Sequence, residues 1–107
     1  MKTISKTKVE GTYEIQVHTP MGVEKGTLNL HVENGLLSGS IVNSKGSFEF
    51  EGGNVSNNEI QFDTKIKTPM GRLKARITGT IENDAFNGTA KLPLGTAKIE
   101  GKKVGQI

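Results

Sequence analysis

The tetrapeptide Thr19-Pro20-Met21-Gly22 returns 49 residues later as Thr68-Pro69-Met70-Gly71. A repeat on this scale constrains the fold strongly, because the same local rules must build both copies. Laid over one another without a gap, residues 11–55 and 60–104 share 12 identities in 45 positions. These include Lys25/Lys74, Glu33-Asn34/Glu82-Asn83, Gly39/Gly88, Gly46/Gly95, Glu51-Gly52/Glu100-Gly101 and Val55/Val104. Pairs such as Tyr13/Phe62, Leu28/Ile77 and Leu37/Phe86 keep an apolar residue in both copies. The expectation is one domain over residues 1–107, built from two fused four-stranded halves at about 11–55 and 60–104. Flexible ends are expected at about 1–8 and 105–107.

Within each half the apolar period is two. Tyr13, Ile15 and Val17 alternate with Thr12, Glu14, Gln16 and His18, and Leu28, Leu30 and Val32 with Thr27, Asn29 and His31. The same alternation runs through Phe48 and Phe50, through Ile60, Phe62, Thr64 and Ile66, and through Ile77 and Ile81. It marks strands with one buried and one wet face. Turn residues interrupt the runs about every 12 positions, which predicts strands at 10–18, 23–33, 36–43, 46–55, 59–67, 72–82, 85–92 and 95–104. Short connections make chain neighbours antiparallel, and closure removes the exposed edges of such a sheet. The expected fold is therefore an all-β, eight-stranded, up-and-down barrel, with a two-sheet sandwich as the alternative. Gly39, Gly79 and Gly88 have inward parity, where a small barrel bends.

Parity also names the core: Tyr13, Ile15, Val17, Leu28, Leu30, Val32, Leu37, Ile41, Phe48, Phe50, Ile60, Phe62, Ile66, Ile77, Ile81, Phe86 and Ile99. The halves differ in bulk. Ile15, Leu30, Ile41 and Phe48 of the first correspond to Thr64, Gly79, Ala90 and Ala97 of the second. Either first-half bulk fills that space, or the small residues leave an off-centre pocket. The candidate lumen residues are Tyr13, Phe62, Thr64, Gly79, Phe86, Ala90 and Ala97.

The segments Gly11-Thr12-Tyr13, Thr19-Pro20-Met21-Gly22, Gly26-Thr27-Leu28-Asn29-Leu30, Gly35–Ile41, Gly79-Thr80-Ile81 and Asn87-Gly88-Thr89 carry a resemblance. Over roughly residues 10–103 the chain resembles small bacterial β-barrel domains that occur alone or at the end of larger enzymes. Those enzymes include flavin-dependent oxidoreductases and amidohydrolase-like proteins. The resemblance implies a calycin-like barrel of the lipocalin and streptavidin type, and it carries no activity and no functional residues. The tryptophan of the lipocalin first strand is absent; Tyr13 stands near its place.

Nothing in the sequence assembles a catalytic centre. There is no cysteine, so disulfides, thiolate metal sites and cysteine nucleophiles are excluded. His18 and His31 have outward parity and fall too far apart along a hairpin to share a metal. Glu49 and Glu51 share a face, but Lys98 replaces Glu49 in the second half, so no carboxylate pair is completed there. No nucleotide-binding loop or nucleophile elbow is present. An enzyme is not expected, nor a cofactor or metal. No apolar run reaches the length of a membrane span. An intracellular, cytoplasmic setting is expected.

Charge and turns are more informative. Residues 1–53 carry five Lys/Arg and six Asp/Glu, whereas residues 54–107 carry nine and five. The excess has outward parity at Lys65, Lys67, Arg72, Lys74 and Arg76, and continues at Lys91, Lys98 and Lys102. This basic wall would attract an acidic partner surface or an anionic cofactor. Nucleic acid is not expected, because outward aromatics for base stacking are missing. Four alternate turns (Thr-Pro-Met-Gly twice, Asn-Ser-Lys-Gly and Leu-Pro-Leu-Gly) fall at one end of such a barrel. Their apolar members Pro20, Met21, Pro69, Met70, Pro93 and Leu94 form a candidate interaction rim, which folds over the mouth, lines a ligand lip or meets a protein. The leading functional expectation is a non-enzymatic binding or interaction module using that end, including self-association into a homo-oligomer. The alternatives are a carrier or sensor of a small apolar ligand in the lumen, and an accessory domain docking on a larger enzyme through the basic wall.

Overall fold

The computed structural model describes residues 9–19, 22–44, 46–68, 71–93 and 95–105, with the backbone alone at 66–68. Eight strands follow in order: β1 (Gly11–Thr19), β2 (Gly22–Glu33), β3 (Leu36–Asn43), β4 (Gly46–Ser56), β5 (Glu59–Thr68), β6 (Gly71–Glu82), β7 (Ala85–Leu92) and β8 (Gly95–Gly105). Each bound lies within one residue of the expectation, since alternation and turn chemistry are local signals. Gly105, expected in a flexible end, closes β8 opposite Thr12. Every strand is antiparallel to its chain neighbours, and β8 pairs with β1 to close the barrel. Closure decides between barrel and sandwich in favour of the barrel. The β1–β2 and β5–β6 hairpins close in matching register, Thr19 opposite Gly22 and Thr68 opposite Gly71.

The two ends of the barrel use different turn chemistry. At the upper end, Gly22, Gly46, Gly71 and Gly95 each leave the turn with φ between 104° and 144°. Side chains with a Cβ rarely adopt that backbone, which accounts for a glycine at all four places. At the lower end, Asn34 and Gly35 have φ of 54° and 78°, and Asn83 and Asp84 have 51° and 67°. Two consecutive positive φ values make the tight hairpin turn whose twist matches the strands, and asparagine tolerates it best among residues with side chains.

The expected inward residues form the core. All are buried except Val17 and Phe48, which are half-buried, and Ile66, whose side chain lies outside the described residues. Two further core residues had no strong sequence signal. Ala75 is buried on β6, and Val9, before the first strand, is completely buried at the lower end. The Tyr13 hydroxyl donates to the Val9 carbonyl at 2.7 Å, and Lys103 Nζ lies 5.6 Å from the Tyr13 ring centroid. Glu10 accepts the Val32 N–H at 2.8 Å and pairs with His31 Nδ1 at 3.1 Å. Val9 and Glu10 thus form a latch under the lower end.

One seam is short. β4 and β5 pair over three positions, Asn54–Gln61 to Ser56–Glu59, while each other seam pairs over at least seven. The cause lies in β4. Between Phe50 and Gly53 it carries one residue more than β3 opposite, and Gly52 takes φ of 72° there. Such a bulge bends the strand out of its ladder. Two inward side chains bridge the resulting gap: Phe50 and Phe62 stack with centroids 3.7 Å apart and planes 10° from parallel.

Candidate functional site

The small inward residues of the second half come together on one wall. Thr64 on β5 lies directly opposite Ala75 on β6, and Ala90 on β7 directly opposite Ala97 on β8. Ile77 on β6 faces Ala90. These residues are buried, and half-buried Leu73 and Leu92 stand above them toward the upper end. The other wall carries Ile15, Leu28, Ile41 and Phe50, with Val17 and Phe48 near its mouth. Bulk on one side therefore faces small side chains on the other, and the sequence pairing had indicated all of this wall but Ala75.

Thr64 gives that wall its polarity. Apart from Tyr13, whose hydroxyl is committed to Val9, it is the one buried polar side chain among the described residues. Its hydroxyl reaches the Glu49 carbonyl across the short seam at 3.5 Å. Hydroxyl bonds are ordinarily about 2.7–2.8 Å long, so this one is weak and easily exchanged for another acceptor or donor.

The remaining lumen candidates occupy the lower half. Tyr13 and Phe86 are fully buried and meet edge to face with centroids 6.4 Å apart. The Phe86 ring covers the inner side of Gly79, where an added Cβ would lie 2.5 Å and 2.7 Å from two ring carbons. Gly79 also faces Gly88 across the β6–β7 seam. This glycine pair holds the strands close and leaves room for the ring above them. Burial, with the Asp84 carboxylate adding, holds the Tyr13 phenol well above its usual pKa, so it is a neutral structural group. Tyr13, Phe62, Gly79 and Phe86 close the lower lumen, whereas Thr64, Ala75, Ala90 and Ala97 shape the upper one.

The outer wall carries two depressions. One, of about 500 Å³, spans β4 to β7, and its lining includes Asn54, Glu59, Gln61, Thr78, Asn87 and Thr89 together with Ile60 and the Gly79–Gly88 pair. The second, of about 520 Å³, lies over β1 to β3 around Gly26. Most of the basic wall is exposed as expected: Lys65, Arg72, Lys74, Arg76, Lys91 and Lys98 all face solvent. The Lys67 side chain lies outside the described residues. Asp63 accepts from Arg76 Nε at 3.1 Å and lies 3.9 Å from Lys74 Nζ, and this bonding holds its carboxyl below the usual range. Lys98 pairs with Glu100 at 3.4 Å, and Glu100 also meets His18 Nε2 at 3.0 Å. Hydrogen bonds from His18 and Lys98 hold the Glu100 carboxyl down as well.

Of the interaction rim, Pro20, Met21, Pro69, Met70 and Leu94 lie outside the described residues, and Pro93 is exposed in the β7–β8 turn. His18 and His31 pair with separate carboxylates, Glu100 and Glu10. Among the described residues no three histidine or acidic side chains gather in a metal-binding arrangement. No described helix is long and apolar enough to cross a membrane.

No family model and no curated protein matches the chain. Solved structures do. A redesigned beta barrel superposes with a TM-score of 0.66 at 13% identity, covering 91% of this chain and 90% of that one. A second redesigned beta barrel, mFAP1, determined bound to DFHBI, superposes with a TM-score of 0.64 at 15% identity, over 98% of this chain and 100% of that one. At such low identity the likeness establishes a shared fold: this chain is a small closed antiparallel β-barrel, a class in which at least one similar member holds a small molecule.

Proposed function

We propose that the barrel is a non-enzymatic carrier or sensor of a small apolar ligand, taken up through the upper end against the Thr64, Ala75, Ala90 and Ala97 wall. The observation that carries this reading is Thr64. A buried hydroxyl held by one 3.5 Å contact, with Ala75 directly opposite, is a polar handle in an apolar wall. Binding pockets combine those two elements, apolar lining and a few placed polar groups. The ligand this suits has an apolar body and one hydrogen-bonding group. The similar barrel bound to DFHBI supports the reading at the level of the fold.

The test uses anilinonaphthalene sulfonate as an environment-sensitive probe, together with native mass spectrometry of protein purified from cells. Wild type should enhance the dye's fluorescence. Ala90→Leu should abolish that enhancement while leaving the fold intact. Thr64→Val, which keeps the shape and removes the hydroxyl, should weaken a co-purifying ligand. A wall already packed to crystal density predicts otherwise: no dye signal, and an overpacking cost of about 1–3 kcal/mol for Ala90→Leu.

Contact with another protein through the same end is the second reading, and it includes self-association. Val23, beside the β1–β2 turn, is 53% exposed, and Val42 on β3 is 40% exposed. Light scattering on wild type and on Met21→Asp/Met70→Asp tests it. A wild-type monomer over the working concentration range excludes self-association.

A further inference from the structure

The cations of the second half are arranged in an array. Lys65 on β5 lies directly opposite Lys74 on β6, and Arg76 on β6 directly opposite Lys91 on β7. Arg72, Lys74 and Arg76 alternate along β6, so their outward positions recur about every 6.6 Å. Like charges directly opposite on a sheet destabilise it. The fold does not demand this arrangement. The β1–β2 hairpin closes in the same register with Gln16 in the place of Lys65, Val23 in that of Arg72, Lys25 in that of Lys74 and Thr27 in that of Arg76. Val42, opposite Thr27, holds the place of Lys91. Strands β1 to β3 therefore build the same structure with one cation at five matching positions.

One acid shows what the array accepts. The Asp63 carboxylate sits between Arg76 and Lys74, at 3.1 Å and 3.9 Å. Among the described residues Lys65, Arg72 and Lys91 have no ion-pair partner. The face also lacks what other partners need. Its cations are not interleaved with aromatic side chains on which bases could stack. Among the described residues the exposed large apolar side chains, Val23, Leu36, Val42 and Val104, lie on β2, β3 and β8, and β5 to β7 present none as an anchor for a conventional protein interface.

We propose that the outer face of β5, β6 and β7 binds an extended acidic peptide segment of a partner protein, with carboxylates at alternate positions lying along the Arg72, Lys74 and Arg76 row. An extended chain presents same-side side chains at the spacing of the cations beneath it, because both are strands. Lys65 and Lys91 flank the row and receive carboxylates on either side. This site lies on the outer wall and is independent of ligand uptake in the lumen.

The test is fluorescence anisotropy on the full chain. The probes are a labelled peptide of alternating glutamate and threonine, a peptide of the same composition with its glutamates in one block, and a single-stranded oligonucleotide of equal charge. The alternating peptide should bind tightest and weaken as salt is raised, since exposed charges are screened. Lys65→Gln/Lys74→Gln/Lys91→Gln should bind it about tenfold more weakly, as three exposed ion pairs are lost. Lys25→Gln should not change it. Lys65→Glu/Lys74→Glu/Lys91→Glu should prefer a peptide of alternating lysine and threonine, a gain that a misfolded variant would not show. Equal binding of the two glutamate peptides, tighter binding of the oligonucleotide, or no switch on charge reversal would overturn the proposal.

Discussion

Tyr13 is the chain's one tyrosine, and tryptophan is absent, so the near-ultraviolet phenolate signal reports this residue alone. Raising the pH perturbs it directly. In the unfolded chain the phenol ionises near pH 10. In the barrel it is fully buried, its hydroxyl is committed to the Val9 carbonyl at 2.7 Å, and burial raises its pKa. Above about pH 10 the unfolded chain therefore binds fewer protons than the folded one, and stability must fall as pH rises. The contribution is fully present below the unfolded pKa. It declines by up to about 1.4 kcal/mol for each pH unit above it, until the folded pKa is reached. The assay follows phenolate absorbance and circular dichroism together through an alkaline titration. The phenolate should appear only as the ellipticity collapses, in one steep transition. Tyr13→Phe should remove this part of the alkaline slope. At neutral pH it should cost about 1–3 kcal/mol, because the buried Val9 carbonyl loses its donor. A shallow, reversible phenolate titration near pH 10 with the ellipticity unchanged would refute the latch, since Tyr13 would then be ionising in contact with water.

Three further outcomes follow from the packing. Gly79→Ala should destabilise by about 1–3 kcal/mol in urea titration, and Phe86→Leu should recover part of that loss in the double variant, because the new methyl collides with the Phe86 ring. Phe50→Ala should cost about 3–5 kcal/mol and speed amide exchange along β4 and β5 selectively, since the Phe50–Phe62 stack bridges the short seam. Asp63→Asn should lower the melting temperature more in low salt than in high salt. It should also flatten the acid limb, where protonating a carboxyl with a lowered pKa removes stability as pH falls.

Strand limits, turn positions and the inward or outward sense of nearly every side chain could be read from the residues, because each rests on a short-range cause. Alternation follows from the pleat, and the turn glycines and asparagines follow from the backbone angles they tolerate. The offset of 49 further placed Thr64, Ala90 and Ala97 against bulkier partners, so most of the candidate wall was visible before the fold was known. The rest depends on register between strands distant in the chain. Val9 reads as an isolated apolar residue until closure brings Tyr13, Phe86 and Val32 around the lower end. The short seam depends on one extra residue in β4, and its effect exists only where β5 must run alongside. The cation array is similar: outward parity was plain at Lys65, Lys74, Arg76 and Lys91, but which cations face one another was set by pairing across β5, β6 and β7. Local chemistry governs what each strand is, and barrel closure governs which strands' side chains meet.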